Sequence, residues 1–228
     1  MPDFKPGQYI TVRIMTPCGR TTMRNYSLSD KPNKDYFRIS VKREGGAAAQ
    51  TPDGFVSNML HKEITVGSVL EIGFPCGDFF LDVTEKHERP LVLMAGGIGI
   101  TPIYAMLKAA LEAMPDRKII LVHAVLNEDV QPFKKELDEL AAKHSNLSVH
   151  YRYSEAENGR LREGAASTGL VDAELIEKLV PDRNADYYFC GPKMFMLGIY
   201  HHLLGWGIPA SQVHFEFFGP KQELQKSA

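Results

Sequence analysis

The uncharged run from Leu91 to Leu107, "LVLMAGGIGITPIYAML", constrains this chain more than any other stretch. It is long enough to raise the question of a membrane span. Its three glycines and internal proline answer that question differently: a buried strand, a glycine turn and a helix. Gly96, Gly97 and Gly99 fall in the turn, Thr101 is placed to cap the helix, and Pro102 suits the first helical turn. Glycines let a backbone approach a ligand closely, and free amides together with the helix dipole favour a phosphate there. At the carboxyl end of a strand in a parallel sheet, this is where ligands sit. The spacing departs from a full GxGxxG, because Pro102 stands where the third glycine would be, and a glycine turn of this kind also occurs with no ligand at all.

The flanking sequence falls into two parts. Up to about Glu85 the chain reads as short strands, "QYITVRIM", "TTMRNYSLS", "YFRISVKR", "SVLEIGFP" and "DFFLDV", with one short helix at "GFVSNMLHKEI". That pattern predicts an antiparallel barrel or sandwich. After "TEKHERP", continuous apolar strands ("LVLMA", "KIILVHAV", "DYYFCG", "VHFEFFG") alternate with helical patterns ("TPIYAMLKAALEAM", "VQPFKKELDELAAKH", "DAELIEKLV", "PKMFMLGIYHHLLGWG"). Strand and helix in alternation predict a parallel sheet with right-handed crossovers. The expected domains are therefore 1–86 and 87–228.

Composition narrows the function classes. With 44% hydrophobic and 24% charged residues the chain reads as a soluble globular protein, and a net charge of −2 gives no footprint for nucleic acid. Cys18, Cys76 and Cys190 lie too far apart for an iron–sulfur or zinc cluster and fit a reducing compartment. The N-terminus lacks the features of a signal peptide, so a cytoplasmic location is expected, with no membrane or nucleic-acid partner. No metal site is expected: His201 and His202 are adjacent and point different ways on a helix. Neither a GxSxG elbow nor HExxH occurs, which leaves a hydrolase without support.

Four shorter motifs carry chemistry. In "RNYSLSD", Arg24, Asn25, Tyr26 and Ser27 put a cation, a phenol and a hydroxyl on one short strand. In "PDGFVSNML", Gly54, Val56 and Ser57 stand where a helix begins, suited either to a second phosphate or to plain capping. In "YYFCGPKMFM", Cys190, Gly191 and Pro192 end a strand, where a small thiol leaves room for a flat ring, although a buried inert cysteine is the commoner reading for one in isolation. In "HFEFFGP", Glu216 sits among aromatics that serve as core or as a stacking surface.

Together, "FKPGQY", "RNYSLS", "VKRE", "GFVSNMLH", "GDFFL", "AGGIGITP", "CGP" and "FEFFGP" resemble the ferredoxin–NADP reductase superfamily, and most of all the reductase half of the flavohaemoglobins, the nitric oxide dioxygenases. The resemblance runs from Phe4 to Pro220. It implies an FAD-binding Greek-key barrel followed by a Rossmann-like α/β domain for NADH or NADPH. It implies that Arg24 meets the flavin pyrophosphate, that Tyr9, Tyr26 and Ser27 contact the flavin, and that Gly54, Val56 and Ser57 lie on the phosphate side. Gly97, Ile98, Gly99, Ile100, Thr101 and Pro102 correspond to the nucleotide loop. Cys190, Gly191 and Pro192 correspond to the turn near the nicotinamide, and Phe217, Phe218, Gly219 and Pro220 to a tail beside the flavin. Glu216 corresponds to an acid that tunes flavin and haem potentials. The residues implied nearest the reaction are Tyr26, Ser27, Cys190 and Glu216.

The implied reaction moves hydride from nicotinamide to FAD and then single electrons to haem, held by a globin domain in cis in a longer protein or in trans. Family barrels begin with a strand upstream of "FKPGQY", so a barrel lacking its first strand is expected here. Glu128 and Asp129 in "AVLNEDVQ" should repel a 2′-phosphate, which favours NADH. The alternatives are a stand-alone NADH:flavin reductase, an oxygenase-reductase component, and a flavin-free binding or assembly module.

Overall fold

The computed structural model describes residues 1–16, 18–45, 54–85, 88–155 and 165–217. Its first part is built on β1 (Tyr9–Met15), which pairs antiparallel with β2 (Thr21–Ser27) and with the two-residue β3 (Glu71–Ile72), in the order β2-β1-β3. Alternation buries Ile10, Val12 and Ile14 on one face of β1. Helix α1 (Phe55–Lys62) lays Val56, Met59 and Leu60 on Val12 and Ile14, while Phe4 and Leu28 close over Ile10.

Two expected strands do not form. In "YFRISVKR" the only ladder contact among the described residues is one bridge, Leu28 to Ile39. Side chains there take up backbone partners: Arg38 Nε donates to Ser29 O at 3.1 Å, and the Ser29 and Ser40 hydroxyls bond each other at 2.9 Å. In "DFFLDV", Phe79 and Leu81 are drawn into the core of the following α/β part, and Asp82 closes a turn by accepting from Thr84 N at 2.9 Å.

The second part is a sheet of six parallel strands, β4 (Leu91–Gly96), β5 (Ile119–Val125), β6 (Leu147–Tyr153), β7 (Ala166–Thr168), β8 (Asp186–Gly191) and β9 (Val213–Phe217), ordered β7-β6-β5-β4-β8-β9. Strands β6 and β7 escape a reading by apolar runs. "LSVHYRY" carries His150 and Arg152, which β7 satisfies through Ser167 Oγ at 2.7 and 2.8 Å. Helices α2 (Ile100–Ala113) and α3 (Lys134–Lys143) cover the face bearing Leu91, Leu93 and Leu121; α4 (Ala173–Leu179) and α5 (Lys193–Gly205) cover Val92, Met94 and Val122. The apolar run that opens β4 is thus a strand buried on both faces and not a membrane span, and no described helix is long and apolar enough to cross a membrane. Thr101 does not cap α2. Gly99 occupies that position, and Thr101 Oγ1 donates back to Ile98 O at 3.1 Å from inside the first turn.

One buried carboxylate ties the two parts together. Asp30, 3% exposed, accepts from Lys108 of α2, from Tyr36 Oη at 3.0 Å and from its neighbour's amide, Lys31 N, at 2.7 Å, with Arg38 at 3.5 Å. Arg38 lies 5.4 Å from the centroids of both Tyr104 and Phe133, which stack on each other. Burial pushes the Asp30 carboxyl up, but the hydrogen bonds from Lys108, Lys31 and Tyr36 outweigh it and hold the group below its ordinary value. A depressed carboxyl contributes stability that is present above its unfolded pKa and is lost as pH falls through the folded one. Asp30→Ala is therefore expected to cost about 2 kcal/mol near neutral pH, since it leaves the half-buried Lys108 and Arg38 without their carboxylate. Asp30→Asn should flatten the acid limb of the stability curve below pH ~4. Urea unfolding across pH checks both; the exposed pair Arg13–Glu71, at 2.8 Å, is the control and should change stability by less than ~1 kcal/mol.

Candidate functional site

A cleft with a volume of about 270 Å³ opens between the two parts. It is lined on one side by Arg24, Asn25, Tyr26 and Ser27 of β2 and by Gly54, Phe55, Val56 and Ser57 at the start of α1, and on the other by Ile98 and Thr101. The β1–β2 register fixes the first group: Arg24 stands opposite Val12, Tyr26 opposite Ile10 and Ser27 opposite Tyr9. Asn25 Oδ1 accepts from Thr11 Oγ1 at 2.8 Å. Arg24 Nη1 reaches only Met23 O and Thr22 Oγ1 among the described residues, at 2.8 and 3.2 Å. Burial pushes the Tyr26 phenol up, with Arg24 pulling the other way, so the phenol stays protonated at neutral pH. Ser27 Oγ is buried with no partner among the described residues. Ser57, by contrast, is used locally: its hydroxyl donates to Gly54 O at 3.0 Å and accepts from Glu44 N at 3.2 Å.

The glycine loop meets the turn after β8 at van der Waals limits. A Cβ on Gly99 would lie 2.2 Å from Cys190 O, one on Gly96 2.7 Å from Pro192 Cδ, and one on Gly191 2.9 Å from Gly96 Cα. These three glycines are therefore required by packing. Gly97 differs: it has φ +54° and open space where a Cβ would stand, so its bare backbone faces outward. Ile100 and Pro102 are buried in α2 and do not reach the cleft.

A second group forms where β8 and β9 pair. Cys190 stands opposite Glu216, and Gly191 opposite Phe217. Cys190 is fully buried; burial first, and then the Glu216 charge, push its thiol well above the ordinary value, so it is not a nucleophile. Glu216 is raised to about 7, chiefly by burial and then by Asp78, and its Oε2 has no partner among the described residues. Gly77 separates it from the Tyr9 ring: a Cβ there would lie 2.9 Å from Tyr9 Cε1 and 3.9 Å from Glu216 Oε1. Tyr9 and Glu216 do not line the 270 Å³ cleft but share this neighbouring region with Cys76 and Asp78. Phe218, Gly219 and Pro220 lie outside the described residues.

Sequence reasoning missed Ser40, Lys42 and Glu44 as cleft-lining residues, although their i, i+2 spacing was a signal. It also passed over His123, whose Nε2 lies 3.2 Å from Gly97 O. Glu128 and Asp129 occupy a turn directly after β5, beside the glycine loop's strand, with Glu128 3.3 Å from Lys134.

Comparison with known proteins shows the family to which this chain belongs. Residues 2–81 match the family described as "Oxidoreductase FAD-binding domain" and residues 93–200 the one described as "Oxidoreductase NAD-binding domain". The FAD/NAD-binding domain of Vibrio cholerae nitric oxide dioxygenase superposes with a TM-score of 0.84 at 31% identity, over 96% of this chain and 87% of that one. This chain belongs to the same reductase family. The flavohemoproteins of Halalkalibacterium halodurans and Bacillus subtilis are 42% and 37% identical over 99% and 100% of the chain. The flavohemoglobin of Malassezia yamatoensis, solved with bound FAD and heme, gives a TM-score of 0.77 at 27% identity, over 96% of this chain and 53% of that one. The chain spans about half the length of the curated relatives it matches, 54% in both cases.

The protein is an NAD(P)H-dependent flavin oxidoreductase with FAD and a nicotinamide nucleotide as cofactors. The residues present fit such ligands. A buried hydroxyl at Ser27 and a buried carboxyl oxygen at Glu216 lack protein partners among the described residues, and the Gly97 backbone is bare.

Two outcomes follow for this reductase. Gly99→Ala should cost about 1–3 kcal/mol by overpacking against Cys190 O, and should weaken nucleotide binding; thermal unfolding and NAD⁺ titration measure the two effects. Because the folded pKa of Glu216 lies above its unfolded value, the native state holds the extra proton, and stability falls as pH rises from about 4.5 to about 7. Glu216→Gln should abolish that decline, on the order of 3 kcal/mol in denaturant unfolding of the flavin-free protein.

Proposed function

We propose that this chain is the reductase part of a flavohaemoglobin-type nitric oxide dioxygenase, taking hydride from NADH and passing single electrons to the haem of a globin domain, in cis or in trans. The observation that carries this reading is the cleft itself, in which Arg24–Ser27 and the start of α1 face Ile98 and Thr101 of the nucleotide loop. We divide the chain at residues 86 and 87, between the two matched families. A cytoplasmic location accords with the three free cysteines.

Bound FAD supplies two-electron acceptance and one-electron release. The protein's part is to bind, orient and exclude water. Arg24 supplies a permanent cation to the flavin pyrophosphate. Tyr26 and the Ser27 hydroxyl, which has no partner among the described residues, would meet the flavin ring side together with Tyr9, while Asn25 holds the strand edge through Thr11. Gly54 and Val56 form the wall on the phosphate side, with Ser57 bracing the turn. Gly97, Ile98, Gly99 and Thr101 present backbone to the nicotinamide nucleotide, and Ile100 and Pro102 anchor that loop in α2. Cys190, Gly191 and Pro192 would form a small floor for a bound flat ring, and Phe217 would flank it; the proposed roles of Phe218, Gly219 and Pro220 fall outside the described residues. Glu216, raised to about 7, can hold or release a proton near the flavin at physiological pH.

The test is spectroscopic. Protein loaded with FAD should show flavin absorbance that NADH bleaches anaerobically, and the reduced protein should then reduce a ferric flavohaemoglobin globin domain. Bleaching without haem reduction would turn the reading toward a stand-alone NADH:flavin reductase. Arg24→Ala is expected to weaken FAD binding about 10–100-fold, the equivalent of one charge-assisted contact, as read by flavin fluorescence quenching. NADH should outperform NADPH, and the double change Glu128→Ala, Asp129→Ala should narrow the gap by about tenfold in kcat/KM. Equal efficiency in the unmodified protein would refute the role of those carboxylates.

A further inference from the structure

A line of three buried or half-buried side chains runs from β6 to the glycine loop. Tyr153 Oη donates to Gln131 Oε1 at 2.6 Å, Gln131 Nε2 lies 3.4 Å from His123 Nδ1, and His123 Nε2 lies 3.2 Å from Gly97 O. Chemistry fixes the direction of every bond. A carbonyl only accepts, so His123 Nε2 carries the proton that reaches Gly97. His123 is fully buried, and burial lowers it to about 4, so the ring is neutral and Nδ1 must accept. Gln131 therefore turns its NH₂ toward the histidine and its oxygen toward Tyr153. Burial raises the Tyr153 phenol to about 12, which keeps it a donor.

The consequence lies in the peptide between Gly97 and Ile98. In a planar trans peptide the C=O and the following N–H point in opposite directions. Drawing Gly97 O inward toward β5 aims Ile98 N–H away from β5, and Ile98 lines the cleft. Gly97 has φ +54° and no side chain, so its own torsions would let this peptide rotate; a second inward bond, from Ile100 N, helps to hold it. Gln131 also closes the turn that carries Glu128 and Asp129, through its own N–H to Glu128 O at 3.2 Å. Gln131 thus closes the Glu128–Asp129 turn with its backbone and reaches the glycine loop, through His123, with its side chain.

We propose that Tyr153, Gln131 and His123 form a relay of fixed polarity that holds the Gly97–Ile98 peptide with its N–H turned to the nucleotide, making His123 a positioning residue for nicotinamide nucleotide binding. This rests on the reading above that the Gly97–Thr101 side of the cleft takes the nicotinamide nucleotide while the Arg24–Ser27 side takes FAD. The relay should act on nucleotide affinity and leave FAD affinity alone.

The experiment measures the Kd of NAD⁺ by calorimetry on the FAD-free chain, and KM and kcat for NADH on the FAD-loaded chain. His123→Leu removes the donor, and His123→Gln replaces it with an amide N–H near the Nε2 position. Tyr153→Phe frees the Gln131 amide to flip. The expected result is a rise in NAD⁺ Kd and NADH KM of tenfold or more for His123→Leu, recovery to within threefold for His123→Gln, and a rise of threefold or more for Tyr153→Phe. FAD affinity should stay within twofold throughout. If His123→Leu does not fold, Tyr153→Phe decides. Unchanged NAD⁺ affinity in the folded variants overturns the relay while leaving the nucleotide site standing, as does equal weakening by His123→Leu and His123→Gln. An unmodified chain that binds no NAD⁺ overturns the nucleotide site and the relay together.

Discussion

The steric contact between Gly99 and the carbonyl of Cys190 is the constraint on which the site depends. No side chain fits between the loop after β4 and the end of β8. That closeness comes from the sheet order, which places β8 directly beside β4 although more than eighty residues separate them in the chain. It puts the glycine loop and the Cys190–Gly191–Pro192 turn at one point, where the strand order reverses and a crevice opens. Pairing of β8 with β9 then carries Glu216 to the same end of the sheet, opposite Cys190. One packing requirement thereby collects residues from three distant segments.

The second requirement is that the antiparallel part keep its orientation, since most of the cleft wall belongs to it. Apolar contact does much of this: Phe79 and Leu81 are buried in the core shared with α2 and β4. Such contact is weakly directional. Asp30, with Lys108 on one side and Tyr36 and Arg38 on the other, adds direction. The stacked Tyr104 and Phe133 rings under Arg38 tie the same point to the entrances of α2 and α3. Rotating one part against the other would break a buried ion cluster and unstack a cation from two rings, so the cleft width is set by specific chemistry.

Much of this was legible in the sequence, and the failures have definite causes. Strands with one unbroken apolar run, such as Leu91–Gly96 and Asp186–Gly191, are read directly because both faces are covered. Strand β6 was not, since His150 and Arg152 look like surface residues until Ser167 and Asp172 are seen to partner them. Residues 36–43 alternate like a strand, yet Arg38 and the serines spend the needed acceptors on side-chain bonds. Ordered motifs located the cleft residues, but not the division of labour among the glycines. Gly96, Gly99 and Gly191 answer to packing and only Gly97 to an open face, a distinction that depends on contacts distant in sequence. His123 was invisible for the same reason: one histidine in an apolar strand has no spacing partner, and its partners come from the glycine loop and the turn after β5.

The site also carries costs that the fold alone does not offset. A buried hydroxyl without a partner costs about 1–3 kcal/mol, and Ser27 is such a group among the described residues. Glu216 is held where its charge is poorly solvated, which is why its pKa stands near 7. Core positions that offered no advantage would be filled by apolar side chains at lower cost. Retaining both groups makes sense when a polar ligand meets them in the bound state. Binding at a thousandfold excess over Kd would then return about 4 kcal/mol to the folded state, enough to outweigh either penalty. The chain without such a ligand is accordingly the less stable form, with its deficit concentrated at Ser27 and Glu216.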